Sequence, residues 1–351
     1  MSTISVIIPV HNGGENLRSC LAGIVACEIE PRELIVVVDG ADSQDIATAQ
    51  DFGAHVLQTS TTSGPAAARN WGAIHASGDL LLFLDADVVP APDVLTKVAA
   101  AFDEQSDLAA LFGSYDNAPA QLNFFSQYKN LLHHFTHQTG REDAFTFWAG
   151  CGAMRREIFL AVGGFDAVTY RRPSIEDIEL GYRLRSAHLR VRLCKDIQVK
   201  HLKRWEAISL FKTDFFHRAL PWTDLILREK RSANDLNLNV ASRLSVVMVY
   251  LMIGACFAGF FMRSCFLLIP AAALILWVLN WPLYRFFARA RGFWFAACTV
   301  PIHGVYYFYS GLAFALGSAA RVVRVRPVVA PTLPLKSVVS HATAERASAK
   351  A

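Results

Sequence analysis

The chain has 351 residues, enough for one large domain with appendages or for two domains. Hydrophobic residues make up 53% and charged residues only 18%, and the mean hydropathy of +0.29 is high for a soluble enzyme. A net charge of +4 gives no reason to expect a nucleic-acid partner.

In chain order, Ile4–Val10 is an apolar strand and residues 16–26 form the helix after it. Residues 33–38 make a second strand that ends at Asp39-Gly40, residues 44–52 a helix, and 55–58 a short strand. Gly64-Pro65 opens a helix through Ala76, and Gly78 breaks the chain before the strand Leu80–Leu84. Residues 93–102 are again helical. Strands alternating with helices across short loops predict an α/β domain of three layers around a mostly parallel sheet.

The fourth strand stops abruptly in Asp85-Ala86-Asp87. In extended backbone, residues i and i+2 point the same way, so both carboxylates can face one site at the carboxyl end of the sheet. Two acids so close repel unless a cation lies between them, and Mg²⁺ or Mn²⁺ suits hard oxygen ligands. Two solvated acids in a turn before Pro90 are the plainer alternative. Glu176-Asp177 is a second acidic pair at a predicted helix N-terminus, where acids also serve simply to offset the helix dipole. His201 precedes Lys203-Arg204-Trp205 at a strand end.

Residues 121–135 carry Phe124, Phe125, Tyr128, Leu131, Leu132 and Phe135 at near-helical spacing. They fit an amphipathic helix on a membrane or at an acceptor rim, and core packing equally. His133 and His137 have i, i+4 spacing, but no Glu base and no third ligand accompany them, so zinc is not expected. Residues 206–231 mix basic and aromatic side chains, as suits an anionic membrane surface. Three runs follow without a charged residue, 244–262, 265–281 and 293–317, the last with His303 as its one ionisable nitrogen base. Each run approaches the roughly 20 residues a bilayer span requires, so two or three transmembrane or re-entrant helices are expected over 241–320. Arg285, Arg289 and Arg291 place the loop between the second and third runs in the cytoplasm, whereas Arg321, Arg324 and Arg326 leave the side of the tail open. The tail over 321–351 is expected to be disordered. Seven cysteines show no CxxC pair, and the N-terminal MSTISVIIPVHN lacks the features of a signal peptide. A reduced, cytoplasm-facing head is therefore expected on an inner membrane.

The motifs IIPVHNGGENL, VVVDG, GPAAARN, DAD, WAGCGAMRREIFLAVGGFD, SIEDIELGYRL and VKHLKRW, in this order, resemble family-two glycosyltransferases. These are inverting enzymes of the GT-A fold that use nucleotide-sugars. The resemblance covers roughly residues 3–205 and implies a catalytic domain over 1–205, to which the composition adds an interfacial segment over 206–240 and the spans over 241–320. It implies nucleotide-sugar contacts by Pro9, His11, Glu15, Asp39, Arg69, Asp85 and Arg204. It implies a divalent cation at Asp87 with Asp85 and His201, acceptor contacts by Trp148, Gly150 and Trp205, and Asp177 as general base beside Glu176. The chain departs from the family's compact DGSxD, having DGADSQD, and carries His201 where processive relatives have Gln or Arg before RW. His201 is thereby left between a metal role and a diphosphate role. The expected reaction moves a sugar onto a lipid or lipid-linked acceptor. The alternatives are a polyprenyl-phosphate glycosyltransferase and a catalytically inactive membrane scaffold of the same fold.

Overall fold

The computed structural model describes residues 2–59, 61–229 and 236–323. The tail expected beyond 323 lies outside the described residues, with Arg324 and Arg326, as do residues 230–235 of the basic-aromatic segment. Two compact units divide the described chain: residues 2–120 with 142–203, and residues 121–141 with 204–323.

Eight strands form the sheet of the first unit: β1 (Ile4–Val10), β2 (Glu33–Asp39), β3 (His55–Thr59), β4 (Leu80–Leu84), β5 (Val88–Pro90), β6 (Leu108–Tyr115), β7 (Cys151–Arg155) and β8 (Arg190–His201). The helices up to residue 203 are α1 (Gly14–Val25), α2 (Ser43–Asp51), α3 (Pro65–His75), α4 (Val94–Glu104), α5 (Phe124–Thr139), α6 (Arg156–Ala161) and α7 (Glu176–Ser186), of which α5 belongs to the second unit. The sheet order is β3-β2-β1-β4-β7-β6-β8-β5. The β1–β2, β2–β3, β1–β4 and β6–β8 pairings are parallel, and those of β4–β7, β6–β7 and β5–β8 antiparallel. Parallel strands covered by helices on both faces must be apolar throughout, which is why β1 and β4 are buried at every position. On one face Val6, Ile8 and Leu82 pack with Leu17, Leu21, Leu95 and Phe102 of α1 and α4. On the other, Phe83 meets the rings of Phe159 and Phe165 at 5.1 and 5.3 Å. Gly72 lets α3 settle onto β1, since a Cβ there would lie 2.5 Å from Ile7 Cγ2.

The second unit differs from the expected single block over 1–205. Residues 121–141 group instead with the helices from 204 onward, because the aromatic stripe of α5 is core. Tyr128 and Leu131 are buried with Trp205, Leu283, Tyr284 and Phe287. After α8 (Ala207–Lys212) the helix widens to a π-helical stretch, Thr213–Ala219, and continues as α9 (Leu220–Glu229). The three uncharged runs become α10 (Val240–Gly259), α11 (Leu268–Arg291) and α12 (Phe293–Val323), the last unbroken at Pro301. Val240–Gly259 and Arg263–Arg291 are long and apolar enough to cross a membrane. Val247, Phe257, Leu274 and Trp277 are exposed on these helices, a surface that lipid accepts and water does not.

Within the π-helical stretch, Asp214 accepts two hydrogen bonds from Lys129 Nζ at 2.7 and 2.8 Å, and one from Tyr309 at 2.9 Å. Burial pushes the Lys129 pKa down, with only partial compensation from Asp214. Burial alone would raise Asp214, but Lys129, Arg218 and the two hydrogen-bond donors outweigh it and hold the carboxyl below its ordinary range. Asp214→Ala would leave a buried ammonium unpaired, at a cost of about 3–5 kcal/mol. The expected result is a large drop in Tm of the detergent-solubilised protein, with Lys129→Met/Asp214→Leu recovering most of it. Because the folded Asp214 pKa is depressed, its stabilisation is present above the ordinary carboxylate pKa and is lost as pH falls through the lower folded value.

Candidate active site

The site grows from loop order at the carboxyl ends of the parallel strands. Asp39, buried at the end of β2, accepts hydrogen bonds from Thr59 Oγ1 (2.9 Å), Ser63 N (2.7 Å) and Gly64 N (2.8 Å). This fixes the loop that opens α3. Gly64 has φ of +86°, and a Cβ there would overlap the Arg171 carbonyl oxygen, so glycine is required twice over. His11 Nδ1 bonds the Asp39 carbonyl oxygen at 2.8 Å. Pro9 is buried in β1 opposite Val37, and Glu15 is exposed in the first turn of α1. The extended DGADSQD loop is accounted for by its two later acids. Asp42 caps α2 through the amides of Gln44 and Asp45, while Asp45 reaches back to the amides of Gly13 and Gly14 at 2.8 and 2.9 Å.

One turn and a half into α3 stands Arg69, buried, with Nη2 donating to Asp85 Oδ1 at 2.6 Å and Nη1 to Glu176 Oε1 at 3.0 Å. Its guanidinium also lies 5.5 Å from the Phe165 ring centroid. One cation therefore joins the two acidic motifs, which are about ninety residues apart in sequence. Burial opposes the charge, but Asp85, Glu176 and Asp177 together raise the Arg69 pKa above its ordinary value. Asn70, next along α3, holds Phe165 at two points, donating to its carbonyl oxygen and accepting from its amide, both at 2.8 Å.

β7 runs antiparallel to β4 and delivers Trp148–Gly150 to the same place. Gly150 O accepts from Asp85 N at 3.3 Å, and Ala149 N donates to Asp177 Oδ2 at 3.1 Å. The Trp148 ring folds back over Gly150, where a side chain would collide with it. β5 pairs with the end of β8, setting Val88 opposite His201. That registry puts His201 Nε2 3.9 Å from Asp87 Oδ2, with the His201 ring stacked on Tyr115 at 4.2 Å and Tyr115 against Trp148 at 4.8 Å. Burial, then Asp85, push the Asp87 pKa up to about 6 against the opposing pull of Lys203 and Arg69. Burial, then Glu176, push Asp177 up to about 6, opposed by the Ala149 amide and Arg69.

Hydrogen bonds thus join Arg69, Asp85, Gly150 and Glu176 and hold Asp177 on the Ala149 amide, Asp39 fixes the loop before them, and strand pairing and ring contacts bring Asp87, Trp148 and His201 alongside. Arg204 and Trp205 belong to the second unit. Arg204 is exposed and paired with Glu206 at 2.8 Å, and buried Trp205 receives a hydrogen bond from Asn123 and donates its amide proton to Ser126. Sequence reasoning missed Asn70 and Tyr115 and left Asp45, within DGADSQD, without a role. Asn70 stood beside Arg69 in GPAAARN and could have been found there, but Asp45 and Tyr115 gain meaning only through tertiary contact. Among the described residues no three His, Cys, Asp or Glu side chains converge as a ready metal cluster. The residues nonetheless fit a cation that arrives with an anionic ligand: Asp85 is neutralised by Arg69, whereas Asp87 is desolvated beside it and unfavourably charged.

A layered sheet with two acids at the β4 end and a second acidic pair tied to them defines a GT-A-type nucleotide-sugar transferase domain. Residues 5–163 match the family profile "Glycosyl transferase family 2", and this chain carries a family-two glycosyltransferase domain. An uncharacterized glycosyltransferase of Haemophilus influenzae is 36% identical over 123 residues, covering 33% of this chain and 48% of its own length. The undecaprenyl-phosphate 4-deoxy-4-formamido-L-arabinose transferase of Salmonella choleraesuis is 30% identical over 114 residues, covering 30% of this chain and 35% of its own. The chain thus spans half or less of these relatives. The mannosyltransferase PcManGT from Pyrobaculum calidifontis, solved with GDP-Man and Mn²⁺, shares the fold with a TM-score of 0.53 at 15% identity, over 93% of this chain and 88% of that one.

Removing repulsion at Asp87 should stabilise the ligand-free protein. The folded pKa of about 6 lies above the ordinary value, so protonation favours the folded state and this stabilisation is lost as pH rises through 6. At pH 7.5, Asp87→Asn is expected to gain about 1–3 kcal/mol, read as a raised Tm that converges with wild type near pH 4. Arg69→Met should do the reverse at pH 7.5, lowering Tm sharply because it strands two acids.

Proposed function

We propose that the protein transfers a sugar, with inversion, from a nucleotide-sugar to a lipid or lipid-linked hydroxyl at the membrane. The observation that carries this is the frame around Arg69, which keeps Asp177 beside the donor-side acids with a pKa of about 6. A carboxyl near that value is ionised at neutral pH and basic enough to accept a proton. Asp177 would take the acceptor hydroxyl's proton as that oxygen bonds the anomeric carbon. The carbon–phosphate oxygen bond would break, and the nucleoside diphosphate would leave with the electron pair. Glu176 is engaged by Arg69 and acts by positioning. Asp87, Asp85 and His201 would hold a divalent cation, Mg²⁺ or Mn²⁺, which when bound neutralises the leaving diphosphate. Pro9, His11, Glu15 and Asp39 would line the nucleotide, with Asp39 organising the loop more than touching the base. Trp148 and Gly150 would border the acceptor.

The membrane helices motivate the acceptor class, since a lipid need not withdraw its tail at about 0.8 kcal/mol per CH₂. Arg285, Arg289 and Arg291 at the end of α11 favour a head on the cytoplasmic side of an inner membrane. The Salmonella relative's named lipid phosphate supports a second reading, in which the acceptor is itself a phosphate and already ionised at neutral pH. Membranes holding the protein, incubated with labelled nucleotide-sugars and lipid extract, should yield label in the organic phase, and label confined to water-soluble products would refute the lipid acceptor. EDTA should abolish transfer and Mn²⁺ or Mg²⁺ restore it. Asp177→Asn should lower kcat about 10²–10⁴-fold with donor binding nearly intact. Wild-type kcat should fall tenfold per unit as pH drops below about 6, whereas a phosphate acceptor would leave Asp177→Asn active.

A further inference from the structure

A cavity of about 560 Å³ lies wholly within the second unit, between the C-terminal half of α5, the turn before α10, α11 and α12. This volume is in the range that holds a small ligand. Leu132, Phe135, Leu279 and Leu283 give it an apolar lining. On the side of α11 and α12, its polar groups His303, Tyr307 and Asn280 are paired with one another and with Tyr128 and Ser245 behind them. His303 bonds Tyr128 at 2.8 Å and Tyr307 at 3.1 Å, Tyr307 donates to Asn280 Oδ1 at 2.7 Å, and Asn280 donates to Ser245 at 2.9 Å. That side therefore demands no polar occupant and tolerates a hydrocarbon one.

The open side is marked by lining residues that are also exposed, Arg141, Asn237 and Asn239. Among the described residues Arg141 makes no ion pair. The cavity touches the start of α10 at Val240–Ser242 and the middle of α11 at Leu279–Leu283. Asn280 of α11 bonds Ser245 of α10, so the mouth of the cavity at the first turn of α10 lies on the side where α11 runs on to Arg285, Arg289 and Arg291. That is the depth of lipid headgroups in an anionic leaflet.

We propose that this cavity holds one resident anionic phospholipid of the bilayer, its phosphate at Arg141 and an acyl chain between Leu132, Phe135, Leu279 and Leu283. The assignment goes beyond the transfer reaction and does not depend on it. Native mass spectrometry of the full-length protein, released from detergent after titration with phosphatidylglycerol or phosphatidylcholine, tests it directly. The wild type should retain one phosphatidylglycerol in preference to phosphatidylcholine. Arg141→Ala, at an exposed position, should reduce that preference roughly fivefold, as expected for one cation at an anionic headgroup. Ala241→Phe, which fills the cavity, should abolish retention of both lipids. Absence of retained lipid in the wild type, or an unchanged preference in Arg141→Ala, would overturn the proposal. So would exclusive retention of a prenyl phosphate, which would make the cavity an acceptor site.

Discussion

Everything at the sheet end depends on a single guanidinium. Arg69 is buried and shared between Asp85 and Glu176, and a buried charge is tolerable only when paired and hydrogen-bonded. Without it, four carboxylates from two distant motifs would be confined to one poorly hydrated pocket. With it, Asp85 and Glu176 are neutralised while Asp87 and Asp177 are left with pKa values near 6. The same cation thus gives the acids different roles, since two are tied down and two remain available to a ligand. Arg69 can do this because α3 begins at a fixed place. Asp39 fixes it by gathering the amides of Ser63 and Gly64, so an acid that the sequence assigns to a nucleotide acts first on the protein's own loop.

Much of the first unit was legible because its central strands are parallel. Strands buried on both faces read as unbroken apolar runs, and β1, β2 and β4 fall within a residue of where VIIPV, LIVVV and LLLFL place them. β8 was legible only at its end, where His201 stands, for the opposite reason. Its RVRLCKDIQVKH alternates charged and apolar residues, with charged side chains on its accessible face, and no run announces it. β7, with the sequence CGAMR, has little strand propensity and is held by pairing with β4 and β6. Yet β7 and β8 are the strands that bring Trp148 and His201 to the acids. The acidic residues and the end of β8 could be read from the sequence, but the pairing of β7 and β8 with the rest of the sheet could not.

The second unit shows the limit of periodicity more sharply. The stripe of Phe124, Tyr128, Leu131 and Phe135 signals an amphipathic helix, and α5 is one, but amphipathicity does not say what covers the apolar face. Here the cover comes from residues more than a hundred and fifty positions later, Leu283 to Phe287, and Trp205 joins the same core. Trp205 is thereby anchored through Asn123 and Ser126, while its neighbour Arg204 stays exposed. Adjacent residues of one motif therefore have different surroundings, one buried in a core and one at the surface paired with Glu206.

Polar residues in apolar helices are costly, and their placement here is consistent with that cost being met locally. His303, Tyr307, Asn280 and Ser245 satisfy one another in a chain that links α10, α11 and α12, and Lys129, Asp214 and Tyr309 do the same where α5 meets the π-helical stretch. A π-helical stretch leaves backbone groups less regularly paired than an α-helix, and such stretches are retained where they aim a side chain. At this one the side chain is Asp214, which reaches both α5 and α12. These polar contacts fix the register of helices whose apolar surfaces alone would slide. A sliding bundle could not keep a cavity of constant shape between α5, α11 and α12, so the same contacts that make the bundle specific also preserve the space that a lipid would fill.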